Sequence, residues 1–372
     1  MIDPFDQFRE RPCPAWFAKP QLGIFIHWGL YSVPAWAPRG RPLDELLRDS
    51  YDDFSAEQPY AEWYQNAIAI ADSPSAAHHS AHWHARPYVD FRALFDDAAQ
   101  AFDPAAWVDL FSAAGASYVV FVTKYHDGYC LWPTEVANPH RPGWHSRRDF
   151  VGEIADATRA AGMKFGIYYS GGLDWTFKHE PIRNLGDMLA CIPTGQDYRD
   201  YAAAQLSELI ARYAPSVVWN DIGWPDQNDL PPLFAKYYAA VPDGVVNDRW
   251  SGDPAMLARL ADPDARAAFN ARMKQAIAKG ASLGGNPKWA DFRTIEYGIG
   301  TPSADRKWEA CRGIGLSFGY NRHEDEADYL DHAAFCRLRD AVQGDGGNLL
   351  INVAPTADGS ISAVQRRALI GG

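Results

Sequence analysis

The chain has 372 residues, 47% apolar and 13% aromatic, enough to build one large domain or two ordinary ones around a sizeable core. A formal net charge of −12 with no basic run makes nucleic acid an unsuitable ligand. No apolar run reaches the roughly 18–20 residues a membrane span needs, and the five scattered cysteines (Cys13, Cys130, Cys191, Cys311, Cys336) form no CxxC pair, against a disulfide framework or a thiolate zinc site.

The opening stretch MIDPFDQFRERPCPAWF carries acidic residues and prolines and lacks an apolar signal-peptide core, so a soluble cytoplasmic protein with reduced thiols is expected. Short apolar runs follow at 22–28, 117–123, 164–170, 216–221, 244–249, 292–297, 314–320 and 348–354. Each is nearly continuous and bounded by turn residues, as in parallel strands buried on both faces. Helical patterns lie between several of them. Asp103–Pro104 opens one that closes at Gly115, and another starting at Asp149 stops at Gly162. The alternation predicts an α/β fold, a (β/α)8 TIM-like barrel with room for irregularity, rather than a doubly wound sheet, because no GxGxxG is present. The chain 1–372 reads as a single catalytic domain. Two excursions break its rhythm, at 37–100 after strand one and at 251–290 between strands five and six.

Barrel enzymes place their active sites at the C-terminal strand ends. Here those ends read His27–Trp28, then Lys124–Tyr125–His126–Asp127, Tyr168–Tyr169–Ser170, Asn220–Asp221, Asn247–Asp248–Arg249, Glu296, Phe318–Tyr320–Asn321 and Asn352. One polar strand end is ordinarily a cap or a loop ligand, but eight around a ring predict a polar cup with aromatic walls. The fourteen tryptophans are mostly packing, although flat rings also suit sugar faces. Asp221 and Glu296, on strands four and six, are the pair suited to glycosidic-bond cleavage. Asp221 has to stay ionised, and Arg249 on the next strand is its counter-charge. Glu296 lies in TIEYG between Ile and Tyr, an apolar setting that suits a proton donor. The cluster HHSAHWH, His78 to His84, invites a zinc reading, but it contains no carboxylate and sits in a polar excursion, so a solvated loop or rim is the plainer one.

The segments LGIFIHWGLYSVPAW, YYSGGLDW, WNDIGWP, VNDRW, KWEACRGIGLSFGYNR and GDGGNLLINVAPTADGSI occur in this order over most of the chain. Together they resemble the retaining α-L-fucosidases, glycoside hydrolase family 29. The resemblance implies exo-cleavage of terminal α-L-fucose with retention, no metal and no cofactor, and a fucosylated glycoside as partner. It implies Asp221 as nucleophile and Glu296 as acid/base, with carboxyls roughly 5–5.5 Å apart. His27, Glu62, Trp63, His126, Tyr169, Trp219 and Arg249 match residues that surround fucose in the family. Phe318 is suited to cover the methyl that fucose carries in place of a 6-hydroxyl.

Three departures stand out. Tyr125–His126 replaces the usual pair of adjacent histidines, so Tyr125 joins the substrate-binding set. The Arg249–Glu296 segment is long and loosens the alignment, with Glu309, placed before strand seven, as runner-up acid. The usual C-terminal β-sandwich is expected to be absent or cut away, leaving a wall through which copies could associate. Two alternatives stay open: the same chemistry on a related sugar such as an α-L-galactoside, and a catalytically silent sugar-binding barrel.

Overall fold

Eight parallel strands make one curled sheet: β1 Leu22–Ile26, β2 Tyr118–Lys124, β3 Lys164–Ser170, β4 Val217–Asp221, β5 Val245–Val246, β6 Arg293–Glu296, β7 Trp308–Gly313 and β8 Asn348–Val353. Their hydrogen-bonded order is β5-β4-β3-β2-β1-β8-β7-β6. The computed structural model describes residues 3–279, 287–297 and 306–372; residues 280–286, within the second excursion, lie outside this set. β1, β2, β4 and β8 are buried along their whole length, which explains their unbroken apolar runs. Helices cross between strands with the expected caps: Asp103 accepts from Ala105 N at 2.9 Å and Asp149 from Gly152 N at 2.9 Å.

β5 and β6 share no ladder. Side chains close the seam instead. The backbone N of Val246 donates to Asp291 Oδ2 at 2.8 Å, and Asp291 N returns a bond to Val246 O at 3.1 Å. Thr294 N donates to Asp248 Oδ1 at 3.1 Å. On the other side of β5, the Asn247 amide takes over where the strand stops, bonding Asn220 N and O at 3.0 and 2.8 Å. The expected strand at 244–249 is therefore only two residues long, because polar side chains satisfy the backbone that a longer ladder would have paired.

Strand seven is also displaced from its expected position. It runs over Trp308–Gly313, and 314–320 is the loop after it. The glutamate inside WEACRG hides this strand from a reading of polarity, but Glu309 points into the barrel. There it accepts hydrogen bonds from Tyr118 OH at 2.5 Å and Trp219 Nε1 at 3.1 Å. The loop's backbone is met by side chains: Leu316 N and Ser317 N donate to Glu324 at 3.1 and 2.7 Å, and Ser317 Oγ accepts from Ala61 N at 2.8 Å.

The 37–100 and 251–290 excursions meet. Leu46, Leu47, Tyr51 and Phe54 form a small apolar cluster with Leu185, covered by Phe269, Met273 and Ile277, and Tyr51 OH donates to Asn270 at 3.0 Å. The histidine cluster is helical rather than a loop, lying on Pro74–Trp83. His79 is buried against Tyr64 OH and Arg86 O, while His78 stacks on Trp36 at 4.2 Å and His82 on His78 at 4.1 Å. Among the described residues no group of three or more His, Cys, Asp or Glu could hold a metal ion, and no helix is long and apolar enough to cross a membrane.

On the outer face of the sheet, Lys124 Nζ and Asp174 Oδ2 pair at 2.9 Å with both side chains fully buried, the ammonium lying 4.4 Å from the centre of the Tyr169 ring. Asp174 also accepts from Thr176 N and Oγ1, and Trp175 N donates to His126 O at 2.7 Å, so the pair anchors a loop that touches the cup. Removing one partner strands the other charge. Lys124→Met is expected to cost about 3–5 kcal/mol, read as a lower denaturant midpoint at unchanged slope.

Candidate active site

Strand alternation sets the geometry of the cup. Along β4, Trp219 and Asp221 face inward and Asn220 faces out. Asn220 locks the strand end from behind: its Nδ2 donates to Gly223 O at 2.8 Å and to Arg249 O at 2.7 Å, and its Oδ1 accepts from Gly171 N at 3.1 Å. The chain then turns sharply. Ile222 has φ 60° and Gly223 φ 98°. A β-branched residue there costs on the order of 1–2 kcal/mol, a strain held immediately after the inward carboxylate. Phe25, Tyr168 and Trp219 form the floor, with ring centroids 5.2–5.8 Å apart.

Above that floor, one guanidinium spans the two carboxylates. Arg249 Nη1 donates to Asp221 Oδ1 at 3.0 Å and Nη2 donates to Glu296 Oε2 at 2.8 Å. Tyr168 OH donates to Asp221 Oδ2 at 3.0 Å, and Tyr60 OH to Glu296 Oε1 at 3.1 Å. Glu296 and Arg249 each keep a quarter of the side chain open to solvent, and Asp221 keeps 13%, so the pair lies at a mouth rather than in the core. Burial opposes the Arg249 charge, but the fields of Glu296 and Asp221 outweigh it and raise its pKa well above the ordinary value. The apolar setting expected for Glu296 is corrected here: its oxygens meet a cation and a phenol.

The walls are His27, Tyr125, His126, Trp63 and Phe318. Tyr125 lies between His126 and Tyr168, stacked on them at 4.0 and 5.8 Å, and meets His27 edge-on at 5.7 Å. Trp63 meets His126 edge-on at 5.0 Å. Phe318 lies 5.1 Å from His27 and 5.4 Å from Tyr60. His126 is buried, and burial pulls its pKa down to about 3. Ser170 Oγ donates to the Leu173 carbonyl at 2.6 Å, so the 2.6 Å contact with His126 Nδ1 must have the imidazole as donor. His126 Nε2 is then an acceptor, and it is buried with no hydrogen-bond partner among the described residues.

Tyr169 does not join this group. Its hydroxyl donates to Gln205 at 2.9 Å on the outer face of the sheet, and the inward tyrosine is Tyr168, paired in register with Trp219. Glu309 is no candidate acid for the cup either, being fully buried beneath the Trp219 floor. Of the two phenols on the carboxylates, Tyr168 is read from sequence only as one of the strand ends, with no role at a carboxylate, and Tyr60 is not singled out at all. Tyr168 could have been found from period-two alternation once β3 was registered against β4; Tyr60, on the 37–100 excursion, carries no local signal.

Glu62 is buried beside the pair. Its Oε2 accepts from Gly319 N at 2.7 Å and Ser317 Oγ at 3.2 Å. Burial outweighs these bonds and pushes its pKa up to about 8. The fold therefore favours the protonated form. The stability contributed by that form is fully present below an ordinary carboxyl value and is lost as pH rises through about 8. A hydrogen-bond donor in the cup is lost over the same range. We expect kcat/KM to fall as pH passes about 8 and Glu62→Gln, which keeps an amide donor, to flatten that alkaline limb; an unchanged limb assigns it to another group.

A parallel barrel-like sheet with two carboxylates sharing one guanidinium at its C-terminal rim, ringed by aromatics and imidazoles, is an arrangement of the kind that glycoside-processing barrels use. The family described as alpha-L-fucosidase matches residues 3–371. Tissue alpha-L-fucosidase of Bos taurus is 30% identical over 97% of this chain and 66% of its own length. An alpha-L-fucosidase structure 40% identical superimposes with a TM-score of 0.83, covering 100% of this chain and 76% of that one. Thermotoga maritima alpha-fucosidase in complex with fucose gives 0.79 at 39% identity, over 100% of this chain and 76% of that one. The chain belongs to the α-L-fucosidase family, and it spans about two thirds of the length of the bovine relative.

Proposed function

We propose that this chain is an exo-acting α-L-fucosidase working by double displacement with retention. Asp221 attacks the anomeric carbon and forms a covalent fucosyl-enzyme while Glu296 gives its proton to the leaving oxygen. Glu296 then takes a proton from water, which attacks the same carbon and frees both the sugar and Asp221. The observation that supports this reading is the single guanidinium bonded to both Asp221 and Glu296, which keeps the two carboxylates close together at the mouth of one small cup, where they can flank a single bond. The relatives' names and the complex of the Thermotoga maritima protein with fucose support the choice of sugar. Arg249 cannot hold Glu296 as its ion-pair partner while that carboxyl is a proton donor, so bound substrate has to loosen that contact.

His27, His126 and Glu62 bind the sugar hydroxyls, Trp63, Tyr125 and Trp219 shape the faces against which the ring rests, and Phe318 covers the methyl. The chain acts as one catalytic unit, with the 37–100 excursion supplying part of the rim through Tyr60, Glu62 and Trp63. The test is hydrolysis of a chromogenic α-L-fucoside beside the matching α-L-galactoside. Preference for the fucoside supports the reading, preference for the galactoside moves it to the related sugar, and binding without turnover of either leaves a silent sugar-binding barrel.

A further inference from the structure

We propose that Asn352 is a positioning residue whose single side-chain amide fixes His27 as the Nδ1–H tautomer and ties that ring to the Phe318 wall of the cup. This deepens the fucosidase reading and rests on it for its kinetic part. Asn352 is buried on β8. Its Nδ2 donates to the backbone carbonyl of Phe318 at 2.6 Å. A carbonyl can only accept, so the amide cannot be turned the other way. Oδ1 therefore faces His27 Nδ1 at 2.7 Å, and the proton of that bond belongs to the imidazole.

The consequence is a fixed polarity at His27. With Nδ1 committed, Nε2 is left as an acceptor, and among the described residues no protein donor bonds it. The ring cannot swing away. Phe25, Tyr168, Tyr125 and Phe318 surround it at centroid distances of 4.6–5.7 Å. The titratable groups facing it are Asp221, His126, Tyr125 and Tyr168. Burial outweighs the Asn352 bond and the Asp221 field and holds the imidazole pKa down to about 4, so the ring is neutral at neutral pH. A sugar hydroxyl reaching His27 must therefore donate.

The same amide pins the backbone that carries Phe318. Hydroxyl recognition and rejection of a 6-hydroxyl are thus coupled through one residue. An asparagine that merely filled the core would show no such coupling.

The test is nitrogen NMR of protein labelled at histidine, with the His27 signals identified by their absence in His27→Gln. The expected free-enzyme spectrum at neutral pH shows protonated Nδ1 and bare Nε2. Asn352→Asp keeps the acceptor for Nδ1–H, adds a negative charge and loses the donor to Phe318. It is expected to move His27 protonation to higher pH. The acid-side fall of kcat/KM should move with it. The preference for an α-L-fucoside over an α-L-galactoside should drop by about tenfold, with KM changing more than kcat. A wild-type ring protonated at Nε2 overturns the proposal, and so does a folded Asn352→Asp variant with unchanged His27 titration and sugar preference. If Asn352→Asp does not fold, the wild-type tautomer still decides. If the wild type cleaves no fucoside, the fucosidase reading fails while the tautomer result stands independently.

Discussion

Asp221→Gly is expected to lower kcat/KM for an aryl α-L-fucoside by at least about a thousandfold, about 4 kcal/mol of lost transition-state stabilisation. The argument is local. Asp221 is the inward carboxylate at the end of β4, held ready by Tyr168 and Arg249; the guanidinium has no lone pair to give, and burial beside the Asp221 charge raises the Tyr168 phenol well above its ordinary pKa, so it stays un-ionised and does not attack in its place. The substitution leaves Asn220 and its three backbone contacts untouched, so the strand end keeps its shape. Azide can occupy the space vacated by the carboxylate and attack from the same side. Turnover should return with azide, and the product should be the inverted β-fucosyl azide. Full activity in Asp221→Gly without azide would show that another residue attacks.

Glu296→Ala is expected to act differently on different substrates. For a fucoside of an alcohol or a sugar, whose oxygen needs a proton to leave, the first step should slow by about a thousandfold. For a fucosyl fluoride or dinitrophenyl fucoside the first step should change little. The second step then limits turnover, because no base activates water. Azide needs no such base, so it should accelerate turnover and give the retained α-fucosyl azide, opposite in configuration to the product of Asp221→Gly. Glu309→Gln is the control. Its side chain lies under the aromatic floor with Tyr118 and Trp219, so its effect should not depend on the leaving group.

The pattern of apolar runs and capped helices was enough to read the barrel-like sheet, because buried parallel strands write themselves as continuous hydrophobic segments. Two strands escaped that rule for related reasons. β5 is short because the side chains of Asn247 and Asp248 satisfy backbone groups that a ladder would have paired. β7 is masked because Glu309 places a carboxyl inside the barrel, where Tyr118 and Trp219 make it tolerable. Both cases exchange backbone or apolar regularity for side-chain hydrogen bonds, which local pattern does not record.

At the site, the strand ends placed Asp221, Arg249 and Glu296 on neighbouring positions of one ring, and they share one guanidinium. The error at Tyr169 is one of parity. Two adjacent tyrosines end β3, only one can face inward, and the choice depends on register with β4. Tyr60 comes from an excursion far from Glu296 in sequence, so only the folded chain brings its hydroxyl to that carboxylate. The role of Asn352 was equally hidden: a polar strand end gives no sign that one amide holds both a histidine and the backbone of a phenylalanine.

The most direct measurement is to trap the covalent intermediate with a fluorinated fucosyl donor that slows the second step, digest the protein and locate the added mass. The account predicts one fucosyl adduct per active site, on the carboxyl of Asp221, formed in the wild type and absent from Asp221→Gly. An adduct on Glu62, Glu296 or any other residue would contradict it, as would turnover of the fluorinated donor with no adduct and first release of inverted sugar.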